Sequence, residues 1–196
     1  MSSFKPALVL AAISAIVSAL IIVTYNITYT DTSNTITDKQ AAAVTSIYGG
    51  TEEDYYVYRT ENWQGALPVD TKVQKVIRGK GGLYAIEVVV KGYKDGFDIM
   101  VGVKDGAVSG VAIVSTGEET PGLGTKTNSP AFLGQFVGIK DKAVVVKKAP
   151  SAEGEVQAVT SATRSSNGVA EAVNIALDAY DRIIEMQNRM DGGEAQ

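Results

Sequence analysis

A chain of 196 residues, 45% hydrophobic and 20% charged with five prolines, has apolar material for one real core and no compositional sign of wholesale disorder. Its net charge of -4 argues against nucleic acid, since phosphate backbones are bound by clustered Lys and Arg. The lack of cysteine and histidine excludes disulfides, thiolate nucleophiles, iron–sulfur ligation, imidazole metal sites and His-based triads. Difficult chemistry is left to a bound cofactor or to carboxylates.

The first element is an apolar helix. Residues 7–23, "ALVLAAISAIVSALIIV", carry no charge, and their only polar side chains, Ser14 and Ser18, can bond back to the helical backbone. At 1.5 Å per residue the run spans about 26 Å, and residues 24–27 extend it into an interface. It is longer than a usual signal-peptide core, and "TYNITYTDTS" is a poor cleavage site, so an uncleaved anchor is favoured. Lys5 precedes the span while Asp31 and Asp38 follow it, which directs the bulk of the chain to the outer face. The anchor is assigned to residues 1–27.

Residues 28–70 read as stalk and membrane-proximal segment. The Thr-rich run 28–37 suits a stalk; Asp38 is placed to cap a helix through "KQAAAVTSIY", stopped by Gly49 and Gly50. Residues 52–70 mix Tyr55, Tyr56, Tyr58 and Trp63 with charges and Pro68, which fits an irregular segment, a partner surface or aromatic core filler.

From Lys72 the pattern changes to strands separated by glycine turns. Residues 83–93, 96–103 and 107–116 are rich in Val and Ile, with "KDG" between consecutive runs, so antiparallel hairpins are expected. A short helical patch over 129–136 and a strand over 142–148 follow. In the C-terminal stretch Val169, Ala172, Val173, Ala176, Leu177, Tyr180, Ile183 and Ile184 recur at helical spacing opposite Glu171, Asp178, Asp181 and Glu185. Gly192 and Gly193 end that helix, and residues 191–196 read as a flexible tail. The expected class is α+β: antiparallel sheet packed with a long C-terminal helix, behind a single N-terminal transmembrane helix.

Two segments can carry chemistry. "AVTSATRSSNGV", residues 158–169, packs five hydroxyls into twelve residues ahead of the long helix. Ser165 or Ser166 is placed to cap it, turning the first-turn amides toward residues 160–165, where a phosphate would fit; a Ser/Thr-rich loop with a good cap is the plainer alternative. "GEETPGLGTK", residues 117–126, follows a strand; Pro121 restricts its predecessor, and Gly122 and Gly124 allow close approach of a planar ligand or simply a tight turn.

The second of these segments resembles the "ETPGLG" signature of the FMN-binding domain in the RnfG and NqrC subunits of membrane ion-pumping redox complexes, and "TSATRSSNGV" resembles the same family's flavinylation motif. Both motifs occur in order behind an N-terminal anchor, and the modest length fits the RnfG type better. The resemblance implies an FMN-binding domain over residues 71–190. It implies FMN joined covalently, as a phosphoester, to Thr163 by a separate flavin transferase that uses FAD. Thr160, Ser161 and Ala162 make up the rest of the motif, Ser161 standing where the family has glycine and Gln157 where an acidic residue is common. It further implies that Glu119, Thr120, Pro121, Gly122, Leu123 and Gly124, with Lys126 nearby, line the flavin site.

The implied role is electron transfer within an Rnf-type complex coupling reduced ferredoxin and NAD to Na+ or H+ transport, with a soluble domain on the extracytoplasmic face of the cytoplasmic membrane. No G-x-G-x-x-G follows a strand and no Walker A sequence occurs, so NAD chemistry falls to partner subunits and this chain completes no substrate reaction alone. Two alternatives remain open at this point: an anchored non-redox binding or scaffold domain, and a free-standing extracytoplasmic flavin carrier.

Overall fold

The computed structural model describes residues 4–28, 34–58 and 60–193. The chain divides into two units, residues 1–32 and 33–196. Within the first, helix α1 (Phe4–Thr28) is uncharged from Pro6 onward and exposes every side chain described. With 25 residues it is about 37 Å long, enough to cross a hydrocarbon core of about 30 Å. Residues 29–33 of the expected stalk, Asp31 among them, and the last three residues of the expected tail lie outside the described residues.

The second unit opens with α2 (Asp38–Tyr48). Its cap is Thr37 and not Asp38: Gln40 N–H donates to Thr37 Oγ1, and Thr37 N–H donates to Gln40 Oε1, a reciprocal capping box. Five antiparallel strands follow in spatial order β1 (Tyr55–Tyr58), β2 (Val73–Gly79), β3 (Leu83–Val90), β4 (Phe97–Lys104) and β5 (Ala107–Ser115). The β4–β5 turn places both Asp105 and Gly106 at positive φ, the conformation that two-residue hairpins favour.

The sheet is covered on both faces, which is why β3 and β4 read as near-continuous apolar runs. One face, with Tyr84, Ile86, Val88, Phe97, Ile99 and Val101, packs with Val169, Val173, Ala176 and Leu177 of α4 (Thr163–Gly193). The other, with Ile77, Ala85, Met100 and Ala112, packs with Ala43 and Val44 of α2. Residues 38–70, read from the sequence as stalk and membrane-proximal segment, are thus largely part of the folded unit: α2 supplies a layer and Tyr55–Tyr58 the edge strand. Trp63 is buried and donates its indole N–H to Tyr58 O at 2.8 Å, so it fills core as the plainest reading had it.

Beyond the sheet come α3 (Pro130–Leu133), a 3-10 turn (Gly134–Phe136) and two short parallel strands, β6 (Val144–Val146) and β7 (Glu155–Gln157). The expected α+β class holds: antiparallel sheet, long C-terminal helix, one N-terminal apolar helix. Helix α4 begins at Thr163, before the serines expected to cap it, and runs through Gly193, so residues 191–193 are its last turn and not tail.

A polar layer lies between the start of α2 and the sheet. Gln40 Nε2 donates to both oxygens of Glu87 at 2.9 and 2.7 Å, while Lys75 Nζ donates to Gln40 Oε1 and to Thr35 O. Asp98 lies beside Glu87, with its Oδ1 buried and without a hydrogen bond among the described residues. Burial, and then the negative charge of Glu87, push its carboxyl from 3.8 up to about 7. The unfolded chain therefore loses this proton before the folded chain does, and stability falls as pH rises from about 4 to about 7 and then levels. Asp98→Asn is expected to raise the melting temperature, with an advantage over wild type that grows across that window. Thermal unfolding at a series of pH values checks this, and an advantage independent of pH refutes it.

Candidate flavin site

The site is assembled from three segments: the turn between β3 and β4, the loop after β5, and the first turn of α4. Glu119 ties them together. Its side chain is only 5% exposed; Oε1 accepts the Tyr93 and Lys94 amides at 2.6 and 3.0 Å, and Oε2 accepts the Ser165 hydroxyl at 2.6 Å. A buried carboxylate is costly unless donors surround it, and charge-assisted bonds of this kind are worth about 1.5–3 kcal/mol each. Room for it is left by glycines: a Cβ on Gly92 would stand 2.4 Å from Glu119 Oε1, and one on Gly124 would stand 1.8 Å from Oε2.

Next to this clamp α4 begins. Its first backbone bond runs from Ser166 N–H to Ala162 O, so the amides of Thr163, Arg164 and Ser165 precede the helical ladder and are available to an anion. Neither serine caps the helix as expected. Ser165 holds Glu119, while Ser166 Oγ accepts from Val159 N–H and donates to Ala162 O, fastening the entry loop. Ser161, at the position where the family motif has glycine, sits at φ +64, a left-handed conformation costing a non-glycine residue about 1–2 kcal/mol. A glycine there is thus favoured by backbone conformation alone.

A cavity of about 500 Å3 opens in front, lined by Tyr93, Thr120, Leu123, Gly124 and residues 161–165. Of the residues predicted from sequence, Thr120, Leu123, Gly124, Ser161, Ala162 and Thr163 meet in it. Glu119 stands behind it as a support, Thr160, Pro121 and Gly122 do not line it, and Lys126 lines a neighbouring hollow with Thr125 and Val159. Tyr93 was not anticipated, and Arg164 and Ser165 only as members of the 160–165 stretch where a phosphate would fit. Arg164 is adjacent to the threonine the motif marks, but Tyr93 lies in a turn 26 residues before Glu119 and nothing local ties the two.

Size and chemistry fit a nucleotide-like cofactor. The volume lies within the usual ~300–1,000 Å3 of small-molecule sites. Tyr93 and Leu123, 53% and 43% exposed, offer an aromatic and an aliphatic surface to a planar ring, and the free amides suit a phosphate. Two larger hollows, of about 630 and 710 Å3, lie between α2 and β5 and along α4; neither includes these amides. The Arg164 guanidinium lies over the Tyr93 ring, 5.9 Å from its centroid. A cation in the first turn opposes the helix dipole by about 0.3–1 kcal/mol, and no carboxylate pairs with it among the described residues.

Glu119→Ala is expected to lower the unfolding free energy by about 2–4 kcal/mol, because it leaves three donors unpaired. Gly124→Ala is expected to weaken the same clamp by about 1–3 kcal/mol through overpacking. Urea denaturation of the purified chain measures both, and wild-type stability in either variant refutes the clamp.

Residues 92–178, which take in all three segments of the site, match the family model of the FMN-binding domain. The chain is 38% identical over 96 residues to the G subunit of the proton-translocating ferredoxin:NAD(+) oxidoreductase complex of Clostridium ljungdahlii, covering 48% of this chain and 51% of that one. It is 27% identical over 178 residues to the G subunit of the ion-translocating oxidoreductase complex of Methanosarcina acetivorans, covering 89% and 92%. The match therefore spans about half the length of the first relative and most of the second. Among solved structures, the C subunit of the Na(+)-translocating NADH-quinone reductase from Parabacteroides distasonis aligns with a TM-score of 0.47 at 25% identity, over 57% of this chain and 61% of that one. Residues 92–178 therefore match the FMN-binding domain, and the chain is similar to the G subunits of ion-translocating oxidoreductase complexes.

Proposed function

We propose that this chain is the electron-transfer flavoprotein subunit of a membrane-bound, ion-translocating ferredoxin:NAD oxidoreductase of the Rnf type, with FMN esterified through its phosphate to the Thr163 hydroxyl. The observation that carries the reading is a convergence: the first turn of α4 with Thr163, and Thr120, Leu123 and Gly124 of the loop after β5, line one cavity inside the segment that matches an FMN-binding domain.

Bound FMN supplies a redox centre that accepts electrons from one partner cofactor and yields them to the next. The protein's own part is placement. Thr163, half-buried at the helix start, is the tether; the amides of residues 163–165 receive the phosphate charge; Tyr93, Thr120, Leu123 and Gly124 bound the ring; Glu119 keeps these segments in register. Attachment is made by a flavin transferase: the threonine oxygen takes the FMN phosphate from FAD, the phosphoanhydride breaks and AMP leaves. Residues 160–166 are the sequence this transferase reads.

A covalent bond also suits the location we propose, with α1 as a single-pass anchor in the cytoplasmic membrane and the folded unit on its extracytoplasmic face, where an untethered cofactor is lost to dilution. Partners are the other subunits of the complex, which supply the NAD and ferredoxin chemistry.

Thr163→Ala is expected to abolish the ultraviolet-excited fluorescence of the denatured gel band and to reduce the intact mass by one FMN group, whereas Thr160→Ala retains both. A dark wild-type band from native membranes, or a fluorescent Thr163→Ala band, overturns the assignment.

A further inference from the structure

We infer that Arg164 faces the isoalloxazine and raises its reduction potential, its guanidinium being held on the cavity wall by the ring of Tyr93. This rests on the tether at Thr163 proposed above and adds a role for the next residue. Three observations meet here. Arg164 and Tyr93 line the cavity that holds Thr163, with the guanidinium 5.9 Å from the ring centroid. Arg164 is in the first turn of α4, where the free amides already present positive charge and a second cation is disfavoured unless something negative joins them. The carboxylate built into the site, Glu119, is occupied by the Tyr93 and Lys94 amides and the Ser165 hydroxyl, and no carboxylate pairs with Arg164 among the described residues.

The phosphodiester answers part of this positive charge. The flavin answers more of it on reduction: two electrons from a partner redox centre, accompanied by one proton, leave one negative charge on the ring. A guanidinium along the same cavity wall, itself exposed and so open to screening by salt, stabilises that charge and makes reduction easier. The Tyr93 ring attracts the cation across 5.9 Å, a cation–π contact that an ammonium could also make.

The experiment is a spectroelectrochemical titration of the full-length, flavinylated chain in detergent, comparing wild type with Arg164→Gln and Arg164→Lys at one pH. Arg164→Gln is expected to shift the midpoint to lower potential, Arg164→Lys to keep most of the wild-type value, and added salt to narrow the gap. Tyr93→Leu, outside the attachment segment, is expected to shift it in the same direction by less. An unchanged midpoint in fluorescent Arg164→Gln protein overturns the inference; if that variant receives no flavin, an unchanged midpoint in Tyr93→Leu overturns it. A dark wild-type band instead strikes at the tether, so the two failures are distinguishable.

Discussion

Three stretches far apart in the chain meet on one buried carboxylate. Glu119 accepts two amides from the β3–β4 turn and one hydroxyl from α4, across separations of 26, 25 and 46 residues. A carboxylate withdrawn from water without donors is strongly disfavoured, so each of these bonds is obligatory once the loop after β5 folds inward. The clamp in turn demands small neighbours, which Gly92 and Gly124 provide. The cavity walls carrying Tyr93, Leu123 and Thr163 inherit their spacing from this contact.

The scaffold behind the clamp is a sheet buried on both sides. Helix α4 covers the larger apolar face and ends its N-terminus at the cavity, so core packing and anion-site geometry are two properties of one element. Helix α2 covers the other face and brings Gln40 over Glu87, with Lys75 and Asp98 in the same layer. Glu87 and Lys75 are of opposite charge there, while burial, and then the charge of Glu87, push Asp98 toward keeping its proton.

Local rules are broken where the chemistry is proposed, and broken together. Ser161 adopts a left-handed conformation, and Arg164 puts a cation at the positive end of a helix. Each costs on the order of 1 kcal/mol, and natural chains concentrate such departures at functional sites, where an absent partner or a required backbone path accounts for them. The hydroxyl crowding of residues 160–166 divides in the same way: Ser165 and Ser166 are consumed by structure, while Thr163 is left at the mouth of the cavity.

The apolar helix, the hairpins, the long amphipathic helix and the two motif segments were legible in the sequence, because each is written in local periodicity or in contiguous residues. The α2 layer was not: its apolar face is short and alanine-rich, and only the second buried face of the sheet shows that it has something to cover. Helix start and cap assignments shifted for a similar reason, since Ser165 and Ser166 satisfy the local pattern for caps but are claimed by Glu119 and Val159 through contacts that the pattern does not record. Glu119 as a support, and Tyr93 and Arg164 as cavity wall, belong wholly to the tertiary structure, because turns and loops carry no periodicity that says what they will face. Sequence by itself determined which segments have the composition to cross a membrane, form a sheet and present hydroxyls at a helix start; the folded chain alone decided which of those hydroxyls remain free.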